Sequence, residues 1–152
     1  MTIRHFALLA SLLCAPLVSC SLSDDSKSST AIVIKVVDGD TIWVQFDDLS
    51  KEKVRLIGID TPEKGKCGFD EATHTLTELV LNQKISLVEG GISNRDRYKR
   101  LLRYVEIGRV DAGLELIKKG LGIHRYDSTD EFPKHDREES YIAADDLATN
   151  YC

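Results

Sequence analysis

Residues 31–47 read AIVIKVVDGDTIWVQFD, and this stretch decides the fold class. Ala31 to Val37 is β-branched and apolar, and Thr41 to Asp47 alternates so that Ile42, Val44 and Phe46 share one face. Between them, Asp38-Gly39 is a tight-turn dipeptide that folds two strands back on each other. Toward the C-terminus, Lys53 to Ile59 reads as a third strand. Lys84 to Glu89 is a fourth, with Ile85 and Leu87 inward, and Leu101 to Ile107 a fifth. Asp70 can cap a helix before the fourth strand, with Ala72, Leu76, Leu79 and Val80 as its apolar stripe. A second helix is capped by Asp111, buries Leu114 and Ile117 and stops at Gly120. A third starts at Pro133 and presents Tyr141, Ala144 and Ala148. The order of elements predicts an α+β, mainly β domain: a five-stranded OB-type barrel with about three helices packed outside.

Toward the N-terminus the composition changes. Arg4, the apolar run Phe6 to Val18 and small residues before Cys20 form an export signal too short to span a bilayer. Leu17-Val18-Ser19-Cys20 resembles the bacterial lipobox, where cleavage precedes a cysteine that is then acylated. Residues 1–19 therefore read as a lipoprotein signal peptide, and residues 20–30 as lipidated Cys20 followed by a polar flexible tether. The domain is then 31–152, outside the cytoplasm and lipid-anchored to the bacterial membrane, with part of it released. Cys14 leaves with the signal, so Cys67 and Cys152 remain as a pair for a disulfide; two free thiols are the alternative.

The formal net charge of −5 argues against a polyanion on bulk charge alone. Distribution argues the other way, because Arg95, Arg97, Lys99, Arg100, Arg103 and Arg109 form a local basic stripe able to hold phosphates. Asp38 and Asp40 flank the first turn, and Asp60 and Glu63 close the third strand. Four acids at strand ends repel one another unless a cation or arginines neutralise them, and an all-oxygen set with a backbone carbonyl suits calcium. Arg55 places a guanidinium on a strand face otherwise formed by Ile57 and Ile59. Taken singly, these residues also read as turn chemistry, a loop start, a snorkelling arginine and a solvated charge run.

Together, Val37-Asp38-Gly39-Asp40-Thr41, Val54-Arg55-Leu56-Ile57-Gly58-Ile59-Asp60-Thr61-Pro62-Glu63 and Asp96-Arg97-Tyr98-Lys99-Arg100-Leu101-Leu102-Arg103-Tyr104 resemble the thermonuclease, or staphylococcal nuclease, family in order and spacing. The resemblance implies a five-stranded OB barrel and a monomeric, calcium-dependent phosphodiesterase acting on DNA and RNA, single-stranded or locally unpaired, with products ending in a 3′-phosphate. By position it implies Asp40 and Asp60 as calcium ligands with the Thr61 carbonyl, Glu63 as general base, and Arg55 and Arg100 on the reacting phosphate. Tyr126 falls where the family has an aromatic beside the nucleotide, with rim packing as the competing reading. Tyr98 and Lys99 are further substrate contacts. The family has glycine before its second arginine where this chain has Lys99, and Cys67 lies in a shortened loop after Glu63. A nucleic-acid-binding OB module without catalysis and an adhesive surface lipoprotein are the rival functions. His74, His124 and His135 read as surface.

Overall fold

The Asp-Gly turn closes in the computed structural model, which describes residues 28–152. Strand β1 (Ser28–Asp38) turns into β2 (Thr41–Gln45), and β2 pairs antiparallel with β3 (Lys51–Leu56). On its other edge β1 pairs with β5 (Lys84–Val88), which pairs in turn with β6 (Leu101–Ile107). A parallel pairing of β3 with β6, Val54 opposite Leu101, closes the five strands into a barrel. Val33, Ile42, Val44, Val54, Ile85, Leu87 and Val105 fill its interior at complete burial or nearly so. Three helices pack outside: α1 (Phe69–Val80), α2 (Ala112–Lys118) and α3 (Glu138–Leu147). Two-residue strands β4 (Ile59–Asp60), β7 (Val110–Asp111) and β8 (Ile123–His124) complete the set, with β4 paired to β8.

Several boundaries depart from expectation, each for a physical reason. Strand β1 begins at Ser28, so the last residues of the expected tether are strand: Ser28, Ser29 and Thr30 pair with Val88, Leu87 and Ser86. Their exposed polar side chains carry no apolar pattern, and backbone pairing alone places them. The third strand breaks after Leu56 because Gly58 takes φ +73°, and a Cβ there would stand 2.5 Å from His135 Nε2. That break starts β4 and turns Asp60 away from the β3 ladder. Helix α1 starts after Gly68 without a side-chain cap; Asp70 lies in its first turn, where the helix dipole favours an acid. Helix α2 is capped as expected, Asp111 Oδ1 accepting the Gly113 and Leu114 amides at 3.0 and 3.2 Å. Its buried stripe is Ala112, Gly113, Leu116 and Ile117, with Leu114 only partly covered.

Helix α3 starts at Glu138 rather than Pro133, and His135 in the connector before it is buried rather than on the surface. The imidazole sits against Tyr104 and Tyr141; Tyr104 Oη and His135 Nδ1 share a hydrogen bond of 2.7 Å, and Tyr104 Oη accepts the Arg137 amide at 3.0 Å. His124 is half-buried with Nδ1 2.7 Å from Asp145 Oδ2, whereas His74 is exposed as read. The signal, lipobox and most of the tether fall outside the described residues. Among the described residues no helix is long and apolar enough to cross a membrane.

Candidate active site

Asp40 in the turn before β2, Thr41 on β2, Arg55 on β3, Asp60 on β4 and Thr61 just after it converge, with β2 and β3 paired so that Thr41 stands opposite Arg55. Arg55 is 7% exposed, and a buried guanidinium must have all its donors answered. Its Nη1 donates to the carbonyls of Leu56 and Ile59 at 3.0 and 2.8 Å. Its Nη2 lies 3.1 Å from Asp40 Oδ2 and 3.1 Å from Asp60 Oδ1. One arginine thus bridges two carboxylates separated by twenty residues of chain. Asp40 is held further: Oδ2 accepts from the Thr61 amide and hydroxyl, each at 3.1 Å, and Oδ1 from the Thr41 hydroxyl at 2.9 Å.

Acid outnumbers base at this cluster. Burial pushes the Asp60 carboxyl above its ordinary value; Arg55 pulls it back, and Asp40 and Glu63 push it up again. Burial, then repulsion from Asp40, raises Asp38 in the same way. Glu63 is exposed on the loop beyond Thr61.

The second arginine arrives by a different route. Lys99 adopts φ +66°, in the left-handed region that favours glycine, and the chain bends there despite the lysine side chain. Asp96 then fixes Arg100: Oδ2 accepts from Nε at 2.6 Å and Oδ1 from the backbone amide at 2.9 Å. Burial acts to raise the Asp96 carboxyl, and the bonds from Arg100 outweigh it and hold it below the usual range. Arg100 Nη1 reaches 3.5 Å from Thr41 Oγ1, at the outer limit of a hydrogen bond, which sets it beside the Asp40 turn.

Arg55, Arg100, Tyr98 and Tyr126 line one cavity of about 410 Å³. Tyr98 is flanked by the guanidinium groups of Arg97 and Arg100, 5.0 and 5.4 Å from its ring centroid. Tyr126 lies 5.6 Å from the Arg55 guanidinium, and its hydroxyl is 3.4 Å from Asp60 Oδ1. Lys99 does not line this cavity; its carbonyl accepts from Arg95 Nη1 at 2.7 Å. Arg95 is committed to Glu52 through two bonds of 2.9 and 2.8 Å. Two participants were not assigned from sequence. Asp96 orients Arg100, and its i, i+4 spacing was the available signal. Phe132 stands edge-on to Tyr126 at 5.4 Å and completes the aromatic wall; nothing local marks it. Cys67 and Cys152 are disulfide-bonded and tie the Glu63 loop to the C-terminus.

A cluster of this kind can hold an oxygen-seeking cation beside a phosphate and place two guanidinium groups on that phosphate. Among the described residues no three His, Cys, Asp or Glu side chains converge as a metal cluster. A cation here would rest on the carboxylates of Asp40 and Asp60, the Thr61 carbonyl and solvent.

A family model described as "Staphylococcal nuclease homologue" matches residues 53–150. The thermonuclease of Staphylococcus hyicus is 38% identical over 112 residues, 70% of this chain and 64% of the relative. The thermonuclease of Staphylococcus intermedius is 34% identical over 121 residues, covering 76% and 68%. An uncharacterized endonuclease of Haemophilus influenzae is 34% identical over 95 residues, covering 62% of this chain and 52% of that protein. The chain thus spans between half and about two thirds of the length of these relatives.

Proposed function

The chain belongs to the staphylococcal nuclease homologue family, and from that premise we propose that it hydrolyses phosphodiester bonds in DNA and RNA at the Asp40, Arg55, Asp60, Arg100 cluster, with calcium as cofactor. One observation carries the proposal: Arg55 Nη2 lies 3.1 Å from both Asp40 and Asp60 in the wall of the cavity that Arg100 also lines. A binding module needs cations along its groove; it does not need a buried arginine shared between two acids at the groove's end.

The residues suit calcium. The donor set is all oxygen, and the Asp38 and Asp60 carboxyls are raised by burial first and by repulsion from Asp40 after it, so a cation here would offset both. A bound calcium ion would supply positive charge and coordination sites for phosphate oxygens. Arg55 and Arg100 take up the charge that grows on those oxygens as phosphorus becomes five-coordinate. Glu63, exposed and two residues beyond Thr61, orients or deprotonates the attacking water. Tyr126, Tyr98 and Phe132 offer apolar faces to unstacked bases, which favours single-stranded or locally unpaired substrate.

The proposal extends to cellular location, on the lipobox-like sequence alone: a monomer exported and anchored to the bacterial membrane through Cys20. The test is hydrolysis of single-stranded DNA and RNA by the full chain. Calcium should support turnover, magnesium should support it poorly, and excess chelator should abolish it; full activity in chelator sinks the calcium assignment. Cys20→Ser should move the protein out of the membrane fraction or leave it unprocessed, and fatty-acid labelling indifferent to Cys20 refutes the anchor.

A further inference from the structure

Beside Asp60 lies a second cavity, of about 400 Å³, which shares Asp60, Thr61 and Glu63 with the proposed chemistry and whose remaining lining that chemistry does not use. Asp60, Pro62, Glu63, Lys66, Leu121 and Tyr151 line it, and its size falls in the range of small-ligand sites, about 300 to 1,000 Å³. Its outer wall is the C-terminal tail. A tail of this kind ordinarily frays, yet three fastenings hold it. The Tyr151 amide donates to the Gly120 carbonyl at 3.0 Å, Tyr151 Oη donates to Glu71 Oε1 at 2.9 Å, and Cys152 is bonded to Cys67. Gly120 permits the approach, since a Cβ there would stand 2.1 Å from the Thr149 carbonyl oxygen. The fastenings bury little of the ring: Tyr151 remains 53% exposed.

The wall therefore carries an aromatic residue that lines the cavity with its hydroxyl tethered and about half its surface exposed. Pro62 and Leu121 give the cavity an apolar floor, and Lys66 is its one lining cation. Asp60 and Glu63 disfavour an anion at the mouth, which leaves a flat, neutral group as the natural occupant, with any attached negative charge directed to Lys66. A nucleobase on its phosphate backbone has this form. Asp60, which lines this cavity, also lies 3.4 Å from the hydroxyl of Tyr126, which lines the first one, so the carboxylate links the two aromatic-lined cavities.

Resting on the nuclease reading, we propose that this cavity is a second nucleotide subsite. It takes the base across the scissile phosphate from Tyr126, stacked on Tyr151, with Lys66 on the next backbone phosphate. The disulfide then serves the substrate as well as the fold, because it holds the stacking ring in place.

The test compares kcat/KM of the full chain on octathymidylate with that on thymidine methyl phosphodiesters, in their 3′ and 5′ forms, which carry a single base. Tyr151→Ala should lower the ratio of long to short substrate by about fivefold or more, the lower end for losing one base–aromatic stack. Lys66→Ala should lower it less, and Tyr151→Phe should retain it. Cys152→Ser, which frees the wall without removing the ring, should lower the same ratio. If the tail is only a clasp, Tyr151→Ala lowers the unfolding temperature and leaves the ratio unchanged, and the subsite is overturned. If the wild type cleaves neither substrate, the nuclease reading fails. Anisotropy titration of labelled octathymidylate then judges the subsite alone: about fivefold weaker binding by Tyr151→Ala supports it, and equal binding overturns it.

Discussion

Arg55 and Arg100 line the same cavity, and the chain builds their positions in opposite ways. Arg55 rises from a barrel strand with cross-strand partners on β2 and β6, is almost wholly buried, and has bonds to two carbonyls and two carboxylates. Arg100 ends a surface loop, is half-buried, and depends on one aspartate four residues earlier. The first cation is fixed by folding itself, at the cost of burying charge. The second is fixed by a local clamp that the barrel does not need. Function and stability should therefore be coupled at Arg55 and separable at Arg100.

The largest effect should come from Arg55→Met. It removes a phosphate contact and leaves Asp40 and Asp60 facing each other without a shared cation. Turnover should fall by at least roughly a hundredfold, and urea unfolding should show a loss of about 3 kcal/mol, the lower end for breaking a buried ion pair, since Asp60 is partly open to solvent. A variant as stable as wild type would show that the cluster is not held by its arginine.

Arg100→Ala should cost a similar factor in turnover and about 1 kcal/mol or less in stability, because the pair it breaks is partly solvated. Asp96→Asn sharpens the contrast: it leaves the guanidinium in place without its charged clamp, and a fall of about tenfold with unchanged unfolding is the expected outcome. Equal stability losses at Arg55 and Arg100 would erase the distinction between the two.

Acid should separate the regions again. His135 packs under Gly58, at the break between β3 and β4 that carries Arg55 to Asp60, and burial depresses its basicity against the pull of Glu138, Asp127, Asp136 and Asp111. Below about pH 6.5 the unfolded chain binds a proton at this histidine that the folded chain refuses, so stability falls as pH falls through that value. The slope is at most about 1.4 kcal/mol per pH unit from this group. The Asp96 carboxyl is held below its ordinary value, so the Arg100 clamp persists to lower pH, and its contribution is lost only as pH falls through that depressed value. Unfolding midpoints from pH 7.5 to 5 should decline more steeply for wild type than for His135→Gln, which retains a hydrogen-bond partner for Tyr104. Parallel slopes would remove His135 from the account.

What the sequence revealed of all this follows the range of the interactions. The Asp38-Gly39 hairpin and the Asp111 cap are set by residues within a few positions, and each is present as read; the alternation read through Arg55, Ile57 and Ile59 is not, because the strand ends at Leu56 and residues 54–59 are all buried. The parallel closure of β3 on β6 joins Val54 to Leu101 across the intervening helix and strand, so no local pattern announces it. His135 looked like surface because its partners, Tyr104 and Gly58, lie far away in the chain. Phe132 joined the aromatic wall for the same reason. Lys99 is the instructive middle case: residue type argued against a sharp bend, while the Asp96 clamp, one residue after the basic stripe begins, holds one in place.

Lys99→Gly should therefore be the smallest change and the most pointed. A lysine at φ +66° pays for a conformation that glycine adopts freely, a cost of about 1 kcal/mol, partly offset by the greater freedom glycine has in the unfolded chain. The variant should gain less than about 1 kcal/mol in stability. If glycine were needed to bring the arginine into reach, the substitution would also raise turnover severalfold. The geometry says otherwise, because Arg100 is already set by two bonds to Asp96, at 2.6 and 2.9 Å, and the carbonyl of Lys99 is held by Arg95 at 2.7 Å. Turnover should change by less than about twofold, well inside the 1.4 kcal/mol that a tenfold change requires. Steady-state rates beside urea unfolding decide the matter: a large gain in rate would mean that the clamp fixes the guanidinium only loosely and that the backbone at residue 99 governs the second cation after all.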